Sequence, residues 1–280
     1  MLLSIYILNS NPDKLKEEKV EKEEKNNTLS FKKKDNIKSQ KNENSDANFL
    51  QKTSISLIQN DINKNGIMKD KWYRTKMIKK IENKQLKLFL FDDNENEEKN
   101  YLKLYSKKEN KNYTIYNERN NPIGIIKWNF LSSNFKLYDN NNKELLNMIY
   151  NLNIKGLNGP IKMKIILLKD LNFNLKDYLN NQNKNSDNEK VYLMENKIPI
   201  YNQIYKCYVL KFINRKIKTS SKNFQIIFKS NLEDNENNIL LQFAETEEGF
   251  FILDYKYPFN QITAFVIGII ANSSKFFCEN

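Results

Sequence analysis

Lysine and carboxylate side chains are the reactive stock of this 280-residue chain, because it contains no histidine and only two cysteines, Cys207 and Cys278. Without imidazole there is no Ser-His-Asp or Cys-His nucleophile and no His-bearing zinc site. Two scattered cysteines supply neither a structural zinc ligand set nor a disulfide framework. No Walker loop and no GxGxxG run offers backbone donors to a nucleotide phosphate. The acids sit mainly in Asn-rich turns: Asp92 and Asp93, Glu233 and Asp234, and the group Glu245, Glu247 and Glu248 ahead of Gly249. That is the placement of solvated turns rather than of a carboxylate pair held for acid–base work. Asp254 differs in lying inside an alternating, strand-like run. Neither catalysis nor a cofactor is expected.

What remains is charge. The chain carries 46 Lys and Arg against 34 Asp and Glu, a net +12. Residues 1–70 hold 13 Lys and 11 acids, so the other 33 basic and 23 acidic residues put most of the positive charge on the remainder. A basic surface attracts polyanions, either a membrane bearing phosphoinositides or a nucleic acid. Composition alone leaves a blander origin open, an AT-rich genome that over-uses Lys and Asn.

The elements that must position such charges are short and β-rich. Alternation between Asn, Gly and Pro turns predicts strands at about 86–91, 101–106, 111–117, 123–128, 134–138, 145–150, 161–168, 191–195, 205–213, 223–229, 239–244 and 250–257, with WYRTKMIKKI (72–81) leading in. After Pro258 the apolar positions Ile262, Phe265, Val266, Ile269, Ile270, Phe276 and Phe277 recur at helical steps, while Ala264, Ile267, Gly268 and Ala271 fill the other faces. A helix apolar all round is a buried one. Its uninterrupted run, Ala264 to Ala271, is far short of the roughly 20 residues that span a bilayer. A sheet closed around that helix would also remove its own exposed edges.

Two stretches read differently. Residues 1–70 are runs of Lys, Glu, Asn and Ser that cannot bury enough apolar surface to offset ordering entropy, so a disordered tail is expected there and a folded domain over 71–280. The opening MLLSIYILNS lacks the charged leader and cleavage site of a signal peptide. An Asn-rich insertion near 172–190 is expected to be disordered. The cysteine usage suits a reduced, cytoplasmic setting.

The segments NPIGIIKWNFLSSNFKLYD (121–139), GPIKM (159–163), NKIPIYNQIYKCYVLKF (196–212), SSKNFQII (220–227), LLQFA (240–244) and LDYKYPFNQITAFVIGIIANSSKFFCE (253–279) occur in an order and spacing that resemble the tubby C-terminal domain family, over roughly residue 86 to the end. The resemblance implies a mainly β fold, a closed antiparallel barrel of about twelve strands threaded by the hydrophobic C-terminal helix. It also implies a non-enzymatic adaptor that binds phosphatidylinositol bisphosphate headgroups at one end of the barrel. Such a module works as a monomer, peripheral on the cytosolic face of the plasma or ciliary membrane, with protein cargo or trafficking machinery bound through the N-terminal region. The nucleus and a nucleic-acid-binding, transcription-regulating role form the alternative. A basic barrel could serve it, although no recognition helix or stacking motif can be placed here.

Carried onto this sequence, the family's first basic position in its IGxxxxN segment is Ile125, so one donor is missing, and the second is Lys127. Asn112 matches an Asn of the preceding strand, and the family's further Arg falls near Asn142 with Lys143 beside it. Lys107, Lys108 and Lys111, together with Lys155 and Lys162, are placed to supply the lost charge diffusely. The headgroup-binding set implied is therefore Lys127, Asn112, Lys143 and Lys111. Lys127 would act as a point charge where the family has a bidentate guanidinium fork. The resemblance gives Asp254, in the DYxYP run, a structural role at the helix entrance.

Overall fold

A computed structural model describes residues 5–6, 71–82, 85–93, 102–109, 111–151, 162–180, 189–230 and 236–273. The strands are β1 (Ile5–Tyr6), β2 (Thr75–Glu82), β3 (Gln85–Asp92), β4 (Leu102–Glu109), β5 (Asn112–Asn117), β6 (Pro122–Trp128), β7 (Asn134–Tyr138), β8 (Glu144–Tyr150), β9 (Met163–Leu168), β10 (Val191–Asn196), β11 (Ile200–Asn202), β12 (Cys207–Val209), β13 (Phe224–Phe228), β14 (Ile239–Glu247) and β15 (Phe250–Tyr255). Among the described residues the helices are α1 (Leu175–Asn180) and α2 (Gln261–Ser273), with a short 3-10 turn at Glu236–Asn238. Twelve strands close into an antiparallel barrel in the order β10-β13-β14-β15-β2-β3-β4-β5-β6-β7-β8-β9, and β1, β12 and β11 form a small sheet outside it. The fold is the expected mainly β barrel with a C-terminal helix.

The barrel closes around α2 because every face of that helix is apolar. Ile262 to Ala271 are all buried, and Ala264, Phe265, Val266, Ile267, Ile269 and Ile270 share one core with inward side chains of the strands, among them Met77, Leu90, Ile126, Phe243 and Leu253. Gly268 marks the closest approach of helix to wall: a Cβ there would meet the Met77 sulfur at 2.7 Å and Leu253 Cδ2 at 3.5 Å. Asn260 caps the start, its Oδ1 accepting from Thr263 N at 2.9 Å while Thr263 Oγ1 accepts from Asn260 N at 3.0 Å. That reciprocal pair satisfies two helix-end donors. No helix among the described residues is long and apolar enough to cross a membrane.

Three expectations need correction. The lead-in at 72–81 is itself a barrel strand, β2, paired along its whole length with β3. The expected strand at 205–213 is only Cys207–Val209. Beyond it, residues 210–218 cross the outer wall as a strap whose backbone is held by side chains: Gln225 Nε2 donates to Lys211 O (2.8 Å), and Gln242 both accepts from Ile213 N and donates to Ile213 O (3.1 Å each). Leu210, Phe212 and Ile217 there cover Ala244 and Ile252, forming a second small core outside the barrel. Finally, part of the insertion near 172–190 is ordered, because α1 buries Leu175 and Tyr178 against the outside of β8. Residues 181–188 of that insertion, and the expected disordered tail apart from Ile5–Tyr6, lie outside the described residues.

Candidate functional site

Antiparallel pairing through β4 to β8 sets the outer wall. Asn112 of β5 stands opposite Lys127 of β6, and Lys127 stands opposite Lys136 of β7, which in turn faces Asn147 of β8. Inward neighbours on the same strands, Tyr113, Ile126, Leu137 and Met148, are buried in the barrel. Period-two alternation therefore places Asn112, Lys127, Lys136 and Asn147 in one row on the outside. One step along the strands, Thr114, Ile125 and Tyr138 make a second outward row.

The row has one free cation and one neutralised one. Lys136 Nζ lies 3.0 Å from Glu144 Oε2, a carboxylate whose side chain is almost fully buried, and Glu144 Oε1 also accepts from Asn147 Nδ2 at 3.2 Å. Lys127 is exposed, and among the described residues its ammonium meets no carboxylate; it sits 4.9 Å from the centroid of the Tyr138 ring instead. A cation over an aromatic face keeps its charge and much of its hydration. Burial raises the Tyr138 phenol above its ordinary value, and Glu144 raises it further, so Tyr138 stays a neutral platform and hydrogen-bond donor. On the other flank Glu109 is occupied, accepting from Thr114 Oγ1 (2.9 Å) and Tyr116 OH (3.1 Å). Lys107 lies over the Tyr116 ring at 4.8 Å.

The four residues expected from sequence do not all meet here. Asn112 and Lys127 are cross-strand partners, and Lys111 is exposed in the β4–β5 turn immediately before Asn112. Lys143 lies in the β7–β8 turn at the opposite end of the barrel, where its backbone N–H donates to Asp139 Oδ1 at 2.8 Å. Ile125, half-buried, faces outward between Thr114 and Tyr138 on the side of β6 that carries Lys127. Lys136 went unnoticed in the sequence. Its signal was there, since a turn centred on 129–133 pairs position 127 with position 136 and alternation in NFKLY puts Lys136 outward with Asn134 and Tyr138.

One uncompensated lysine opposite a half-buried Asn amide on paired strands suits a phosphate ester. Lysine offers three rotatable donors to an oxyanion, and an Asn amide offers two more without needing a counter-charge. A metal centre has no comparable support: among the described residues no three His, Cys, Asp or Glu side chains gather closely enough to hold an ion.

A second charged cluster is structural. Arg215 of the strap forks onto Asp254 at 2.6 Å for each nitrogen and also pairs with Asp93, while Gln242 Nε2 reaches Asp254 at 2.9 Å and Lys76 Nζ reaches Asp93 at 2.6 Å. Asp254 and Asp93 are buried. Burial alone would push the Asp93 carboxyl up, but Lys76 and Arg215 together hold it below the usual carboxylate range. The two acids and the guanidinium fasten the strap and the end of β3 to β15.

Comparison with known proteins follows the same outline. The Tub family profile matches residues 52–272. Tubby-related protein 3 of Homo sapiens is 30% identical over 181 residues, covering 56% of this chain and 40% of the relative. Protein king tubby of Drosophila sechellia is 31% identical over 176 residues, 56% of this chain and 38% of the relative. Tubby-related protein 3 of Mus musculus is 29% identical over 182 residues, again 56% and 38%. The match thus spans about two fifths of the length of these curated relatives.

Proposed function

The chain belongs to the Tub family, and on that premise we propose that its barrel is a non-catalytic module binding phosphatidylinositol bisphosphate headgroups, which tethers the protein to the cytosolic face of a membrane. The observation that carries this reading is the exposed ammonium of Lys127, which meets no carboxylate among the described residues, standing opposite the Asn112 amide and beside Lys136 on one outer row. Lys111, exposed in the adjacent turn, adds charge at the same end. Lys143, in the β7–β8 turn beyond Tyr138, is not part of this row, and its headgroup role stays a proposal resting on the family pattern alone.

Two features make the wall suited to that task. Its donors project from paired strands rather than from a loop, so little ordering entropy is lost when an anion arrives. The Lys136–Glu144 pair leaves Lys127 as the main uncompensated charge, and a lone lysine without the family's preceding basic position favours a looser headgroup preference. The plasma or ciliary membrane is the proposed site of action, with residues 1–70 as the segment available to a protein cargo. The test is vesicle pelleting across phosphoinositides with duplex DNA as competitor. Lipid-dependent pelleting that DNA does not displace supports the reading, whereas DNA displacement at matched charge supports a basic barrel for nucleic acid.

A further inference from the structure

The β6–β7 turn that follows Lys127 ends in two side chains with nothing to pack on. Phe130 is 98% exposed and Leu131 59%. A single exposed apolar residue is ordinary, but these two are adjacent at the apex of a tight turn, and from Trp128 to Phe135 the sequence has no charged residue. The turn is also braced from within. Asn129 Oδ1 accepts from Ser133 N (2.9 Å) and Asn134 N (3.1 Å), Asn129 O accepts from Ser132 N (3.0 Å), and Asn129 N donates to Asn134 O (3.1 Å). Asn129 Nδ2 completes the clamp on Ser133 Oγ at 3.0 Å. The N–H groups of Asn129, Ser132, Ser133 and Asn134 therefore need no water, which lowers the cost of bringing the base of the turn up to an apolar phase.

Topology puts this tip beside the candidate row and not across the molecule from it. Lys127 lies two residues before Asn129 and Lys136 two residues after Asn134, directly opposite one another at the base of the turn. The β2–β3 turn opens at the same end of the barrel with Ile81 exposed, and so does the exit of β10, with Ile198 exposed. An apolar rim with lysine stems rising behind it, the Lys127 ammonium leaning along β7 over Tyr138 and Lys136 held by Glu144, matches a bilayer with anionic headgroups, where lysine stems lie along the interface and the free ammonium reaches the phosphates.

We propose that Phe130 and Leu131 form a membrane-inserting tip, entering the headgroup and upper acyl region of a phosphoinositide-bearing bilayer while Lys127 holds the headgroup beside them. The inference rests on the reading of Lys127 as a headgroup ligand but adds a separate, apolar source of affinity. It distinguishes a lipid in a bilayer from the same headgroup free in solution.

The experiment compares the full chain with a Phe130→Ser, Leu131→Ser double variant and with Lys127→Glu, using phosphatidylcholine vesicles doped with phosphatidylinositol bisphosphate and, separately, soluble inositol trisphosphate. The double variant is expected to bind vesicles about tenfold or more weakly, the loss of two partly buried apolar side chains, and to bind inositol trisphosphate as the parent does. A Phe130→Trp chain should shift its emission to the blue and be quenched by brominated lipid on binding. Vesicle binding unchanged in the double variant overturns the insertion, as does a parallel loss of vesicle and soluble headgroup, which would make the tip part of the headgroup site. Failure of the underlying reading looks different: Lys127→Glu would then match the parent on both ligands whatever the tip does.

Discussion

Ile125 is the residue at which this chain departs from the family pattern, and its position makes the departure testable. It faces outward between Thr114 and Tyr138, one step along the strand from Lys127. A lysine there would reach the same anion as Lys127, so Ile125→Lys should tighten binding to bisphosphorylated lipid by about 1.5–3 kcal/mol if a charged hydrogen bond forms. In vesicle pelleting that is a tenfold gain or more, and an unchanged midpoint would place the phosphates elsewhere. Asn112 and Lys127 were each legible only through the family resemblance, and it is the β5–β6 register that sets them opposite one another. Lys143 came from the family pattern, and the hairpin sets it in the β7–β8 turn, off the row that Asn112, Lys127 and Lys136 share. Phe130 and Leu131 fell in the gap between the expected strands at 123–128 and 134–138, but a turn position alone does not say that both side chains project outward.

At the scale of elements, the helix was the most readable part and the strap the least. All-round apolar character with no span-length run can only mean burial in protein, and α2 is buried at every position from Ile262 to Ala271. Phe265→Asp would set an unpaired carboxylate among those side chains at a cost of several kcal/mol, against a total stability of about 5–15 kcal/mol. Circular dichroism and calorimetry should find no cooperative fold, and a native-like, soluble variant would contradict an internal helix. The strap misread as a strand because YVLKF has strand composition; what decides its state is that the Gln225 and Gln242 side chains take the backbone groups of Lys211 and Ile213, while its end, Lys218 N, donates to a strand carbonyl, Glu245 O. Its anchor, Arg215, is a side chain no local pattern could single out. Arg215→Ala would leave the buried Asp93 and Asp254 without their guanidinium and should cost about 3–5 kcal/mol by denaturant unfolding. The pH dependence has a defined sign. Because Asp93 is held below its ordinary value in the folded state, its stabilisation is fully present above the unfolded value of about 3.9 and is lost as pH falls through the lower folded value. An Asp93→Asn chain, less stable near neutrality, should therefore converge on the parent in that acid range.

For the molecule as a whole, the barrel concentrates charge without becoming a uniform cation. Many lysines are spent on local partners: Lys76 on Asp93, Lys87 on Glu82, Lys103 on Asp92, Lys136 on Glu144 and Lys211 on Glu236. The number of lysines therefore overstates the cations free to meet a ligand, and the sequence composition could not say which were left over. A diffuse basic surface would lose lipid and DNA together as salt rises, whereas a headgroup site depends on one wall. Lys127→Glu separates the two with the least ambiguity, since an exposed strand charge contributes little to folding. Measured by pelleting with vesicles containing phosphatidylinositol bisphosphate, a Lys127→Glu chain with the parent's unfolding transition should lose lipid-dependent binding; the same chain binding as tightly as the parent would contradict the central claim.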